Sequence, residues 1–205
     1  MEQLSTNSYG AATPARTPAT TQSGFSLVEI LVSIVVLSLG MLGAVGMQAT
    51  AMQSNKEARS QALATTFARE LAEKMRGNHT VAIQTSAASN PFLFDSTLTG
   101  TSSVASFTVN CFTAGCPLAA DEAAWDVADW QGRVLAALPT PRVKVCFDKS
   151  PFDSAGTPRW ACTNDGDVAV LKMSWTRNTT AGTLEFAANS GVPVVVVPLT
   201  AGSSQ

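Results

Sequence analysis

Residues 24–47 read GFSLVEILVSIVVLSLGMLGAVGM, and this stretch decides the architecture of the chain. Between Phe25 and Met47 the only charged side chain is Glu29, and the 18 residues from Ile30 to Met47 carry none. As a helix, the segment from Phe25 to Met47 extends about 34 Å, enough to cross a bilayer. A buried core helix is the alternative, and a run of this length without a charge argues against it. Upstream, residues 1–24 are rich in Ser, Thr, Ala and Pro, with Met1, Leu4 and Tyr9 as their only large apolar side chains. Such a composition buries no core and reads as disordered. It also lacks the basic start and apolar centre of a secretory signal peptide.

Downstream, the helical pattern continues past the length a membrane requires. Residues 48–76 contain neither Gly nor Pro and many good helix formers. Leu63, Phe67, Leu71 and Met75 recur every four residues as an apolar stripe, with Glu70 and Lys74 spaced for an ion pair on the polar side. Gly77 and Asn78 supply a stop, and His79 falls at that helix end as a solvated cap. The spacing predicts one helix of about 50 residues, its first half made for lipid and its second half for packing under a head.

Beyond residue 79 the pattern turns to short strands. Strands are expected at Val104–Cys111, Arg142–Asp148, Val168–Trp175, Thr183–Ala187 and Val192–Leu199, the last restricted by Pro193 and Pro198. In the third of these, Ala169, Leu171, Met173 and Trp175 share one face and Val168, Val170, Lys172 and Ser174 the other. Residues 80–103 read as a polar connector holding the patch Phe92-Leu93-Phe94. A second helix is expected from Asp121, as N-cap, to Leu138, with Val127, Trp130, Val134 and Leu138 buried and Pro139 ending it. Helices lying to one side of a run of strands give an α+β fold with an antiparallel sheet.

Composition narrows the function. Of 205 residues, 45% are apolar and 14% charged, against the roughly 25% charged of ordinary soluble domains. A net charge of -2 gives no electrostatic footprint for nucleic acid. His79, as the one histidine, argues against histidine-based metal sites and triads. Asn164-Asp165-Gly166-Asp167 offers oxygen ligands without the alternating spacing of a calcium loop, and reads as a β-turn. The four cysteines permit two disulfides in an oxidising compartment, with three connectivities open. The four tryptophans read as core. No metal or cofactor is expected, and an enzyme anchored in the membrane is the remote alternative.

Gly24 before Phe25, Glu29 at the fifth position after that junction, and an apolar run beginning there together resemble the processing site of type IV prepilins and pseudopilins. In the head, Cys111-x4-Cys116-Pro117, the acidic helix with Trp130, Leu138-Pro139, Cys146, Cys162 and a strand ending in Trp175 follow the order seen in minor members of that family. The resemblance covers residues 24–176 and implies the type IV pilin fold, a long N-terminal helix packed on a small antiparallel sheet. It implies that residues 1–24 are a leader cut after Gly24 by the prepilin peptidase, with N-methylation of Phe25 by its methyltransferase activity. The mature chain is then divided into a membrane half (25–47), an amphipathic half (48–78) and a periplasmic head (79–205).

A non-catalytic minor pilin is implied, held in the bacterial inner membrane and later in the pilus, with a pseudopilin of a type II secretion system as alternative. Its partners are then other minor pilins, the major pilin, the inner-membrane assembly platform and membrane lipid, with no nucleic acid. Glu29 is expected to act as counter-ion during assembly, because a carboxylate in lipid is costly unless paired. Gly40, Gly43 and Gly46 are expected to let the helix unwind, each weakening it by about 1 kcal/mol relative to alanine. Ordinary close-packing glycine, as in Gly40-x3-Ala44, is the alternative. Of the three connectivities, Cys111–Cys116 with Cys146–Cys162 is favoured, the second closing a loop worth roughly 3 kcal/mol.

Overall fold

The computed structural model of the protein describes residues 24–178, 183–185 and 191–200. The expected leader up to residue 23, and residues 186–187 of the strand expected at Thr183–Ala187, lie outside the described residues. The chain forms two compact units, Met1–Ala49 and Thr50–Gln205.

In the first unit, Gly24 to Ser26 are irregular and helix α1 (Leu27–Gly77) begins. Every side chain from Phe25 to Ala49 is exposed, Leu27 by 82% and Leu42 by 71%. It is the one helix among the described residues long and apolar enough to cross a membrane. Its polar hydroxyls are satisfied within the helix. Ser33 Oγ donates to Glu29 O (2.7 Å) and Ser38 Oγ to Ile34 O (2.6 Å). That is the arrangement required where no water is at hand.

The second unit packs the remainder of α1 and helix α4 (Ala119–Ala137) on one face of a four-stranded antiparallel sheet. The sheet order is β1-β2-β3-β6, with β1 Phe94–Thr97, β2 Arg142–Phe147, β3 Ala169–Ser174 and β6 Val195–Leu199. Single-turn helices α2 (His79–Ala82) and α3 (Cys111–Ala114) lie in the connections, and β4 (Arg177–Asn178) pairs with β5 (Leu184–Glu185). The α+β architecture expected of a pilin is therefore present.

The buried face of α1 is Ala64, Ala68, Leu71, Ala72 and Met75, with Leu63 and Phe67 only half-buried at its margin. The expected stripe is thus shifted by about one residue, because alanines let the neighbouring elements approach more closely than leucine and phenylalanine do. Trp130 fills the centre with no exposure and donates its indole N–H to Phe67 O (2.9 Å). Phe67 and Phe94 meet its ring at 6.1 and 6.2 Å.

Electrostatics then lock α4 on α1. Glu70 bonds to Arg133 and Lys74 to Asp126 (2.5 Å), so the expected Glu70–Lys74 pair gives way to two bridges between helices. The reason is geometric: α4 brings an opposite charge to each. Helix α4 also starts earlier than expected. Leu118 is its N-cap, its carbonyl accepting from Asp121 N and Glu122 N, while Asp121 and Glu122 occupy the positive first turn. Asn78 Nδ2, donating to Ala119 O (2.6 Å), fixes that start beside the end of α1.

One expected strand is absent, one strand arises where none was expected, and one is shortened. Residues 104–110 form no strand: Ala105 N donates to the Gln131 side chain of α4 (2.6 Å), and Phe107 packs edge-on against Trp125 (4.6 Å). Instead β1 arises inside the expected connector. Its Asp95 sits across the sheet from Arg142 (3.4 Å) and Lys144 (3.2 Å), cross-strand charges that fix the pairing. At the other side β6 begins at Val195 rather than Val192, after Pro193, and pairs with β3 as the last strand of the sheet among the described residues.

Candidate functional site

The segment expected to be processed lies at the start of α1. Ser26 O accepts from Glu29 N (3.0 Å) and Ile30 N (3.2 Å), so the helix begins immediately after the Gly24–Phe25 junction. Phe25 is 79% exposed, and a Cβ placed on Gly24 meets nothing within 4 Å. Among the described residues no packing contact demands glycine there. Glu29 is exposed in the first turn, where a carboxylate suits the helix dipole. In the uncut chain Phe25 N is a neutral amide, so a charge opposite Glu29 comes into being only on cleavage.

Gly40, Gly43 and Gly46 lie within unbroken helix, and a Cβ at any of them meets nothing within 4 Å. Close packing among the described residues does not account for them.

In the second unit the four cysteines form the bonds Cys111–Cys116 (Cα–Cα 4.8 Å) and Cys146–Cys162 (6.4 Å). Both distances are ordinary for disulfides. The second bond pins a strap, residues 148–163, over the face of the sheet opposite the helices. The strap folds back on itself through Asp153 N–Thr157 O (2.9 Å) and Arg159 N–Pro151 O (3.0 Å). Trp160 on the strap receives the Arg142 guanidinium at 4.2 Å.

Beneath the strap lies a pair that the strand pattern did not reveal. Lys172 Nζ donates to Asp148 Oδ2 (2.5 Å) and Ala161 O (2.6 Å), with both side chains wholly buried. Asp148 Oδ1 also accepts from Ser150 N (3.0 Å) and Thr163 Oγ1 (3.2 Å). Burial works to raise the Asp148 carboxyl, but the bonds from Lys172, Ser150 and Thr163 outweigh it and hold the group below its ordinary range. The register sets Lys144 directly across from Lys172, and each lysine is neutralised by its own aspartate, Asp95 and Asp148. A lysine between Leu171 and Met173 in an apolar strand was the only signal in the sequence.

Asn164-Asp165-Gly166-Asp167 bends rather than closing the expected turn. Asn164 takes φ 56° and donates its N–H to Phe147 O (3.0 Å). Gly166 presses on the start of the strap, where an added Cβ would lie 2.8 Å from backbone atoms of Asp148 and Lys149. Asp165 binds Lys149, which lowers its carboxyl and raises the amine. His79 is half-buried, with Nε2 enclosed among protein atoms, in place of the solvated cap expected. Trp130 and Trp175 are buried as expected, and Trp175 donates to Glu57 of α1 (3.3 Å).

Residues 20–45 match the family model described as the prokaryotic N-terminal methylation motif. No curated protein and no solved structure matches the chain significantly. The motif ends inside the apolar run and encloses both the junction and Glu29. The chain thus carries the N-terminal methylation motif found in type IV pilin-like and pseudopilin precursors, together with a long apolar helix and a small antiparallel sheet. Such a leader implies processing by a prepilin peptidase and handling by pilus-type assembly machinery, and proteins bearing it are generally structural subunits.

Proposed function

We infer that the chain is a minor pilin, a non-catalytic subunit that takes part in priming, assembly or modification of a type IV pilus. One observation carries this reading: the methylation motif at residues 20–45 brackets a Gly24–Phe25 junction from which an exposed apolar helix at once begins. The order of cysteines, Trp130, Leu138-Pro139 and Trp175 in the head resembles that of the minor pilin PilV, which favours the pilus over a type II secretion pseudopilin. On this reading residues 1–24 are removed and Phe25 is methylated. Residues 25–47 then span the inner membrane, 48–78 continue the helix, and 79–205 form the periplasmic head. Glu29 meets the Phe25 amine of a neighbouring subunit, and Gly40, Gly43 and Gly46 let the helix adapt as lipid is exchanged for a filament core.

Intact-mass and N-terminal analysis of the membrane-extracted protein tests this directly. The expected product begins at N-methylated Phe25. An uncut chain in cells with active prepilin peptidase overturns the reading. A gene neighbourhood of secretion components rather than minor pilins shifts it to the pseudopilin.

A further inference from the structure

The small ring closed by Cys111–Cys116 is built to hold one side chain out. Phe112 is 89% exposed, more than any other large apolar side chain described in the second unit, and Leu118 beside the ring is 63% exposed. The ring is rigid. Asn110 Oδ1 accepts from Phe112 N (3.0 Å) and Thr113 N (3.2 Å), its carbonyl accepts from Ala114 N (3.0 Å), and Gly115 closes the turn at φ 70°. A backbone ordered in advance loses less conformational freedom on docking than a free loop does. No Asp, Glu, Lys or Arg occurs between Asp95 and Asp121, and then Asp121 and Glu122 follow in the first turn of α4. Cys111 Sγ lies 3.9 Å from the backbone carbonyl of Asp121, so the uncharged ring sits beside the first turn of α4, which carries Asp121 and Glu122.

We propose that Phe112 is a docking knob, entering an apolar socket with a basic rim on the head of another pilin-type subunit. This rests on the filament-subunit reading above. Charge and area decide the occupant. The acidic edge repels an anionic lipid surface and complements a basic protein rim. Phe112 and Leu118 together offer a few hundred Å², far below the roughly 1,200 Å² that stable free partners bury. The contact therefore acts between subunits held together by a second interface, where effective concentration makes a small anchor sufficient. The exposed apolar part of α1 is the segment of this chain able to supply that interface.

The test is photocrosslinking of the full chain in pilus-producing cells, with Phe112→p-benzoylphenylalanine. The expected adduct contains a second protein whose peptides include a methylated, pilin-type N-terminus, and its yield falls when Asp121→Lys and Glu122→Lys are added. Phe112→Ser should leave thermal stability, leader cleavage and membrane retention unchanged while lowering filament incorporation about tenfold. Adducts with lipid alone, no adduct, or wild-type incorporation of Phe112→Ser each overturn the docking knob. Failure of the wild-type chain to be cut after Gly24 is a separate result, and it overturns the filament reading itself.

Discussion

Removing either member of the Lys172–Asp148 pair strands the other's charge in a site without solvent, and that asymmetry governs how the head responds to substitution. Lys172→Met or Asp148→Leu alone should destabilise by about 3–5 kcal/mol, while the double change Lys172→Met with Asp148→Leu should cost much less than their sum. Urea unfolding of the three variants measures this, and additive losses would contradict it. The sign of the pH dependence follows from the lowered carboxyl. Its stabilisation is complete above the ordinary aspartate value of 3.8 and is lost as pH falls through the lower folded value. Thermal unfolding of wild type and Asp148→Asn should therefore converge only below pH 3.8. Glu29 makes the contrasting case, a carboxylate with no buried role in the single chain. Glu29→Ala should be processed and membrane-retained but depleted from sheared pili, since the Phe25 amine then enters an apolar bundle without its counter-ion. Equal incorporation would reduce Glu29 to a headgroup-level residue. Its candidacy was readable because one charge stood in a long uncharged run. Lys172 was not, since a single lysine in a strand looks like an outward-facing position until the strap is seen to cover it.

Among the elements, α1 was legible because two independent signals agree along it: an uncharged stretch, then an unbroken series of helix formers ending at Gly77. Strands β2 and β3 were legible from alternation. Strand β1 was not, because Phe94-Asp95-Ser96-Thr97 has no pattern of its own and becomes a strand through pairing with β2. Conversely Val104–Cys111 alternates well yet finds no neighbouring edge, and its backbone turns to Gln131 instead. Local pattern reports what a segment prefers, and the available partners decide the rest. The same limit bears on the glycines, since a Cβ added at any of the three meets nothing within 4 Å among the described residues. Replacing Gly40, Gly43 and Gly46 together by alanine should stiffen the helix by about 1 kcal/mol per site. Membrane insertion should persist and filament incorporation should fall, as read by immunoblot of membrane and sheared fractions. Unchanged incorporation would favour ordinary transmembrane glycines.

As a whole molecule, the chain combines a helix segment whose side chains are all exposed with a sheet covered on both faces, by helices on one and the strap on the other. Those surfaces call for different solvents. Alkaline carbonate should leave the protein in the membrane pellet, and an added protease should reach the head from the periplasmic side only. Protection of the head in intact spheroplasts would reverse the proposed orientation. The burial of Trp130 and Trp175, each with its indole N–H bonded, has an optical consequence. Indoles shut away from water emit at shorter wavelength than hydrated ones, so the head carries its own fluorescent gauge of integrity. Tyr9 is the only tyrosine and lies upstream of the Gly24–Phe25 junction. A chain processed there would hold no tyrosine, and its near-ultraviolet emission would come from tryptophan alone.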